Sequence, residues 1–169
     1  MAEELLSRKD VKKELTWDLT LIYKDEAALM SDADRLEKLT GEIERLYKGK
    51  LGSAETVNKC LDEYREAVGI ITLIGNYCEL ATSVDYYDTH NMELAGKMNR
   101  KLSECMSRLS FIDSELAVQD NAVIEEAVNL SEANANYLKD VLRGKPYLLN
   151  PETERVLTAL SQTTGAPYE

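Results

Sequence analysis

Apolar positions recur at steps of three and four over most of this chain, the spacing of one helical face, and no segment alternates with period two for long enough to make a strand. The first stripe, Leu29, Ala33, Leu36, Leu39, Ile43, Leu46 and Tyr47, predicts a helix that starts at Asp25 and stops at Gly49 or Gly52. Aspartate is a good N-cap, and glycine can take the left-handed conformation that closes a helix. A second helix opens at Ser53, carries Val57, Cys60, Leu61, Tyr64, Ala67, Val68, Ile71, Ile74, Tyr77, Cys78, Leu80 and Ala81, and breaks at Val84–Asp88. Around Ile70–Ile74 it is apolar nearly all round, which predicts the most buried helix, with Leu73 and Ile74 at the centre of the core. A third helix starts at Asp88 or Thr89 and runs through Met92, Ala95, Met98, Leu102, Cys105, Met106, Leu109, Ile112 and Leu116 to Val118–Gln119.

Shorter pieces follow. Asp120 caps one with Val123, Ile124, Ala127 and Val128, and another carries Tyr137, Leu138, Val141 and Leu142 before Gly144–Pro146 ends it. Asn150 followed by Pro151 marks the start of a last helix with Val156, Leu157 and Leu160. Residues 1–15 form a charged lead-in, and Thr16–Tyr23, with the only tryptophan, should dock its aromatic groups on the helices. The expected architecture is all-α: an antiparallel bundle of three long helices plus shorter C-terminal helices. Residues 16–163 make up the helical lobe and 164–169 the start of a linker.

Charge narrows the partners. With 31 Asp+Glu against 20 Lys+Arg, the net charge of −11 repels phosphate backbones and anionic bilayers, so neither nucleic acid nor membrane is an expected partner. The opening residues carry no apolar signal-peptide core, and the longest unbroken apolar run, Val68–Ile74, is far short of a membrane span. Cys60, Cys78 and Cys105 lie far apart inside helical patterns and read as buried thiols of a cytoplasmic protein.

Little in the sequence can do chemistry. His90 is the single histidine, so zinc motifs built on a histidine pair cannot form, and it reads as a first-turn residue. A Cys105–His90 nucleophile pair has nothing local to position it. Glu125–Glu126 and Glu152 with Glu154 read as solvated faces, and no phosphate-binding glycine loop is present. Asp85–Asp88 places two tyrosines at a helix break, where one ring should pack inward and the other cover the junction. No catalytic, cofactor-binding or metal-binding residue is assigned.

The order of landmarks carries more. The opening RKDVKKELTWDLTLIYKDEAAL (residues 8–29) joins a charged lead-in to Trp17-Asp18-Leu19-Thr20 and a Tyr23-Lys24-Asp25 helix start. This resembles the amino-terminal opening of oligoendopeptidase F, a family of zinc metallopeptidases related to thimet oligopeptidase. Tyr86-Tyr87-Asp88-Thr89-His90-Asn91 looks like that family's junction between its second and third long helices. Leu142–Leu160 is similar to its R-x-K-x-H-x-L-x-x-x-x-E-x-x-L stretch, with Tyr147 where histidine is frequent. The resemblance runs from about Asp10 to Leu160.

It implies an amino-terminal lobe packed over a helical catalytic domain, the two enclosing a deep channel for short peptide substrates. Zinc, its two histidines, the glutamate base and the third carboxylate ligand would belong to the catalytic domain of the same polypeptide, and none of those motifs occurs here. The chain thus reads as a fragment of a longer one, needing no cofactor of its own, while the parent uses Zn. The alternative from another class is a free-standing helical protein-interaction module with an exposed apolar stripe.

Overall fold

The computed structural model describes residues 11–85 and 87–148. Six helices follow one another: α1 (Glu26–Tyr47), α2 (Ala54–Val84), α3 (Thr89–Leu109), α4 (Phe111–Val118), α5 (Asn121–Leu130) and α6 (Glu132–Gly144). Single 3-10 turns stand at Lys13–Leu15, Leu19–Leu21 and Lys145–Tyr147, and the described residues contain no strand. The all-α reading holds. The last helix expected after Asn150 lies outside the described residues.

Local chemistry sets the helix starts. Asp25 accepts from the Ala28 amide at 2.8 Å, Ser53 from Thr56 at 3.3 Å, Asp88 from Asn91 at 3.2 Å and Asp120 from Ala122 at 2.9 Å. Each bond satisfies a backbone donor that the first turn would otherwise leave unpaired. Gly49, at φ 74°, closes α1 in the left-handed region where a side chain would be strained.

α1 and α3 run in the same direction, with α2 antiparallel to both. Arg35 pairs with Glu66, and the Tyr23 ring meets Tyr77 edge-on at 5.7 Å, so the start of α1 lies beside the later part of α2. Lys101 on α3 reaches Asp34 at 2.6 Å and Glu37 at 3.0 Å on α1, while Arg108 donates to the Glu37 carbonyl at 3.3 Å. Behind these polar seams Leu29, Leu36, Ile43, Val57, Ile74, Met98, Ile112, Leu116, Ile124 and Leu138 are fully buried in one core.

The α5–α6 pair lies on the first half of α2, held by a buried amide clamp. Asn58 donates to the Ala127 carbonyl at 3.0 Å. Asn134 donates to Asn58 Oδ1 at 2.9 Å and Asp62 at 3.1 Å, and accepts from Arg65. Nearby, Tyr137 donates to Asp113 at 2.5 Å and leans on the Tyr64 ring. Both asparagines are buried with every polar atom bonded, which is what makes their burial tolerable.

Several expectations are corrected. The third helix breaks at Ser110, whose hydroxyl bonds the Ser107 carbonyl at 2.8 Å and interrupts the i to i−4 ladder, so α3 and α4 are separate. Tyr23 docks, but Trp17 is exposed. Of the two tyrosines at the helix break, Tyr86 lies outside the described residues, and Tyr87 is 95% exposed and packs against neither helix. Leu46 is exposed, and the buried position beside its stripe is Thr40.

The midsection of α2 is the largest departure. Ile70 and Ile74 are buried, yet Leu73 is 44% exposed and Val68 38%. Over its most apolar 18 residues α2 has a mean hydropathy of 1.4, and by length and composition it could cross a membrane, although its longest unbroken apolar run is short. Core helices pass the same test, and α2 does pack on α1, α3 and α5. Only 28% of that window is buried, however. The helix is more apolar than its internal packing explains.

Candidate functional site

That surplus lies on one side of the bundle. From Ala67 to Val84 the only charged residue is Glu79. A groove of about 510 Å³ runs between α2 and α3, lined by Thr72, Gly75, Asn76, Glu79, Ala95 and Asn99 among others. Helical spacing puts Val68, Gly69, Leu73 and Ser83 beside the α2 lining, and Met92, Gly96, Ser103 and Met106 beside the α3 lining. Met92 and Met106, expected in the core, are 46% and 58% exposed. The charged residues of α3, including Glu93, Lys97, Arg100, Lys101, Glu104 and Arg108, fall on its other sides. In a chain that is 30% charged, this is a segregated, partly apolar face with Glu79 as its one charge.

Two further features belong to this face. A glycine inside a helix costs about 0.5–1 kcal/mol relative to alanine, and a Cβ at Gly69, Gly75 or Gly96 would meet nothing within 4 Å. Gly41, away from this face, has Arg108 crossing over it at 3.7 Å. Packing among the described residues therefore gives no reason for the three glycines on the open face. In the groove, Thr72 and Thr82 spend their hydroxyl protons on the Val68 and Cys78 carbonyls. Asn76 and Asn99 bond no other group among the described residues, so their amides are available. We expect Gly96→Ala to stabilise the isolated chain by about 0.5–1 kcal/mol in urea titration, because the site has room; a loss of stability would show that the face is covered within the fold.

The residues do not fit zinc. Among those described, no three His, Cys, Asp or Glu side chains are placed to hold a metal ion. His90 is exposed at the start of α3, 3.2 Å from Glu26. Cys60, Cys78 and Cys105 are buried and free, as expected for inert thiols. Glu125 and Glu126 are exposed, and Glu152 and Glu154 lie outside the described residues. The isolated chain should retain no stoichiometric zinc after dialysis against a mild chelator, measured by atomic emission; one bound zinc per chain would contradict this.

The tyrosines and cysteines with raised pKa values belong to the core or pack against it. Burial, then bonds to Asp32 and Asp113, push the Tyr23 and Tyr137 phenols well above their ordinary range, and burial with the Glu63 bond takes Tyr47 up to about 12. Burial pushes the Cys60 thiol up to about 12 and raises Cys78. Each group keeps its proton more tightly folded than unfolded, so its contribution to stability is complete below the unfolded pKa and lost as pH rises through the folded one. Unfolded thiols titrate near ~8.5 and phenols near ~10. The urea midpoint should therefore fall progressively above about pH 9; a midpoint unchanged up to pH 11 would contradict the burial of these groups.

Sequence reasoning missed this face because it read Leu73, Met92 and Met106 as core. The missing signal was the charge gap from Ala67 to Glu79 together with the glycines inside it.

Comparison with known proteins agrees with the landmarks. A family model described as oligopeptidase F matches residues 115–169, a stretch that includes α5 and α6. Oligopeptidase PepF of Bacillus subtilis (strain 168) is 20% identical over 169 residues, covering 98% of this chain. The chain spans 25% of that relative's length. No solved structure matches. The matched stretch at the C-terminal end and the alignment along nearly the whole chain together support an amino-terminal domain of an oligoendopeptidase F-type peptidase.

Proposed function

We propose that this chain is the non-catalytic amino-terminal lobe of an oligopeptide-cleaving zinc metalloendopeptidase, walling one side of the substrate channel and restricting access to short peptides. The observation that carries the reading is the sparsely charged, partly apolar α2–α3 face, left open among the described residues of a chain whose relative is four times as long. The catalytic domain of the same polypeptide would be the partner and would hold the zinc, in a cytoplasmic setting.

The mechanism is exclusion. A folded substrate cannot thread an enclosed channel, whereas a flexible peptide can. Closure also holds bulk water away from the reacting centre. The helices of this lobe would contribute rigidity: the α1–α3 ion pairs and the asparagine clamp keep the wall in one shape.

The test adds this chain to the separately expressed catalytic part and follows hydrolysis of a short quenched-fluorescent peptide and of casein. Selectivity for the short peptide should rise on addition. If neither rate changes at saturating chain and no complex elutes from a sizing column, the lobe reading fails and a free-standing interaction module becomes the better account.

A further inference from the structure

We infer that the sparsely charged face of α2 and α3, from Val68 to Ser83 and from Met92 to Met106, with Glu79 as its one charge, is the seat on which the peptidase's catalytic part docks; this names the contact surface of the lobe proposed above and rests on that reading. Four large apolar side chains, Val68, Leu73, Met92 and Met106, stand partly exposed there. Gly69, Gly75 and Gly96 leave space over the helix backbone, so a partner's backbone can come closer than any side chain at those positions would allow.

The α5–α6 pair shows what such a cover looks like. It lies on α2 at Asn58, Asp62 and Arg65, and the cover ends where the exposed face begins, at Val68. The open half of α2 continues the same side of the helix, and no element among the described residues closes it.

The occupant follows from length and charge. The alignment with the Bacillus subtilis relative uses 98% of this chain but only a quarter of the relative, so most of such a polypeptide lies elsewhere and needs a seat. A second copy of this chain suits the face poorly. The net charge of −11 repels it, and a two-fold pairing centred on the groove would bring Glu79 against its own copy. A neutral, apolar surface with one cation opposite Glu79 fits the face, and the free amides of Asn76 and Asn99 would bond its polar rim.

The experiment titrates the separately expressed catalytic part into this chain and into three variants: Leu73→Glu and Gly96→Gln on the face, and Leu46→Glu, exposed on α1. Circular dichroism melts first establish that each is folded; Met106→Lys replaces either face variant that is not. Hydrogen exchange then locates protection. The inference expects binding weakened at least about tenfold by each face variant. It expects no change from Leu46→Glu, and protection gained in residues 68–83 and 92–106. If the catalytic part binds and modulates activity equally with all variants, the lobe reading stands and this seat is wrong. If wild-type chain binds nothing, the lobe reading falls and the seat with it. A homodimer lost in the face variants would name a second copy as occupant and overturn the inference.

Discussion

Truncating Ile74 to alanine should destabilise the chain by about 2–5 kcal/mol, the range for removing a buried branched side chain from a packed site. Ile74 is fully buried in the core, on a helix that packs against both α1 and α3. Its neighbour one residue back supplies the contrast. Leu73 is 44% exposed, so Leu73→Ala should cost well under about 1 kcal/mol in the isolated chain. Urea titration of the two variants measures the difference directly. Equal losses would mean that α2 is rotated about its axis, with Leu73 turned into the core.

A second large effect is expected at Asn134. Replacing it with alanine removes the acceptor for Arg65 and the donor to Asn58 and Asp62, leaving Asn58 Oδ1 buried without that partner. An unsatisfied buried group costs about 1–3 kcal/mol. The loss should also be local, because the clamp joins α5–α6 to α2 and takes no part in the α1–α3 seams. Hydrogen exchange should speed in residues 121–144 while α1 and α3 keep their protection. A uniform loss of protection would show that the two parts unfold as one, and an unchanged midpoint would show that the clamp is not buried.

What the sequence disclosed and what it hid divide along a physical line. Asp25, Ser53, Asp88 and Asp120 were readable as helix starts because a cap needs only a short acceptor and the next three residues. Gly49 was readable for the same reason, since a left-handed residue at a helix end is a local demand. The break at Ser110 was not. The apolar steps Leu109, Ile112 and Leu116 carry the stripe straight through it, with no glycine or proline nearby. Asn58 and Asn134 look like surface residues until helices 76 positions apart in sequence bring their amides together.

The candidate site was hidden for a related reason. Periodicity says which residues share a face, but not whether anything covers it. Leu73 and Ile74 are equally apolar, and only the position of α1, α3, α5 and α6 around α2 separates them. Trp17 and Tyr87 show the same limit: aromatic character predicted contact, and the contact is not made among the described residues. The family resemblance, by contrast, rested on order and spacing of landmarks, which survive without knowledge of packing.

The lobe account is tested most directly in the full polypeptide, by deleting residues 16–163 and comparing its cleavage of a short peptide with its cleavage of casein. The account predicts that the ratio of kcat/KM for the short peptide to that for casein falls sharply, because the channel has lost a wall while the metal centre remains. An unchanged ratio in a deletion variant that still folds and still cleaves the short peptide would contradict it.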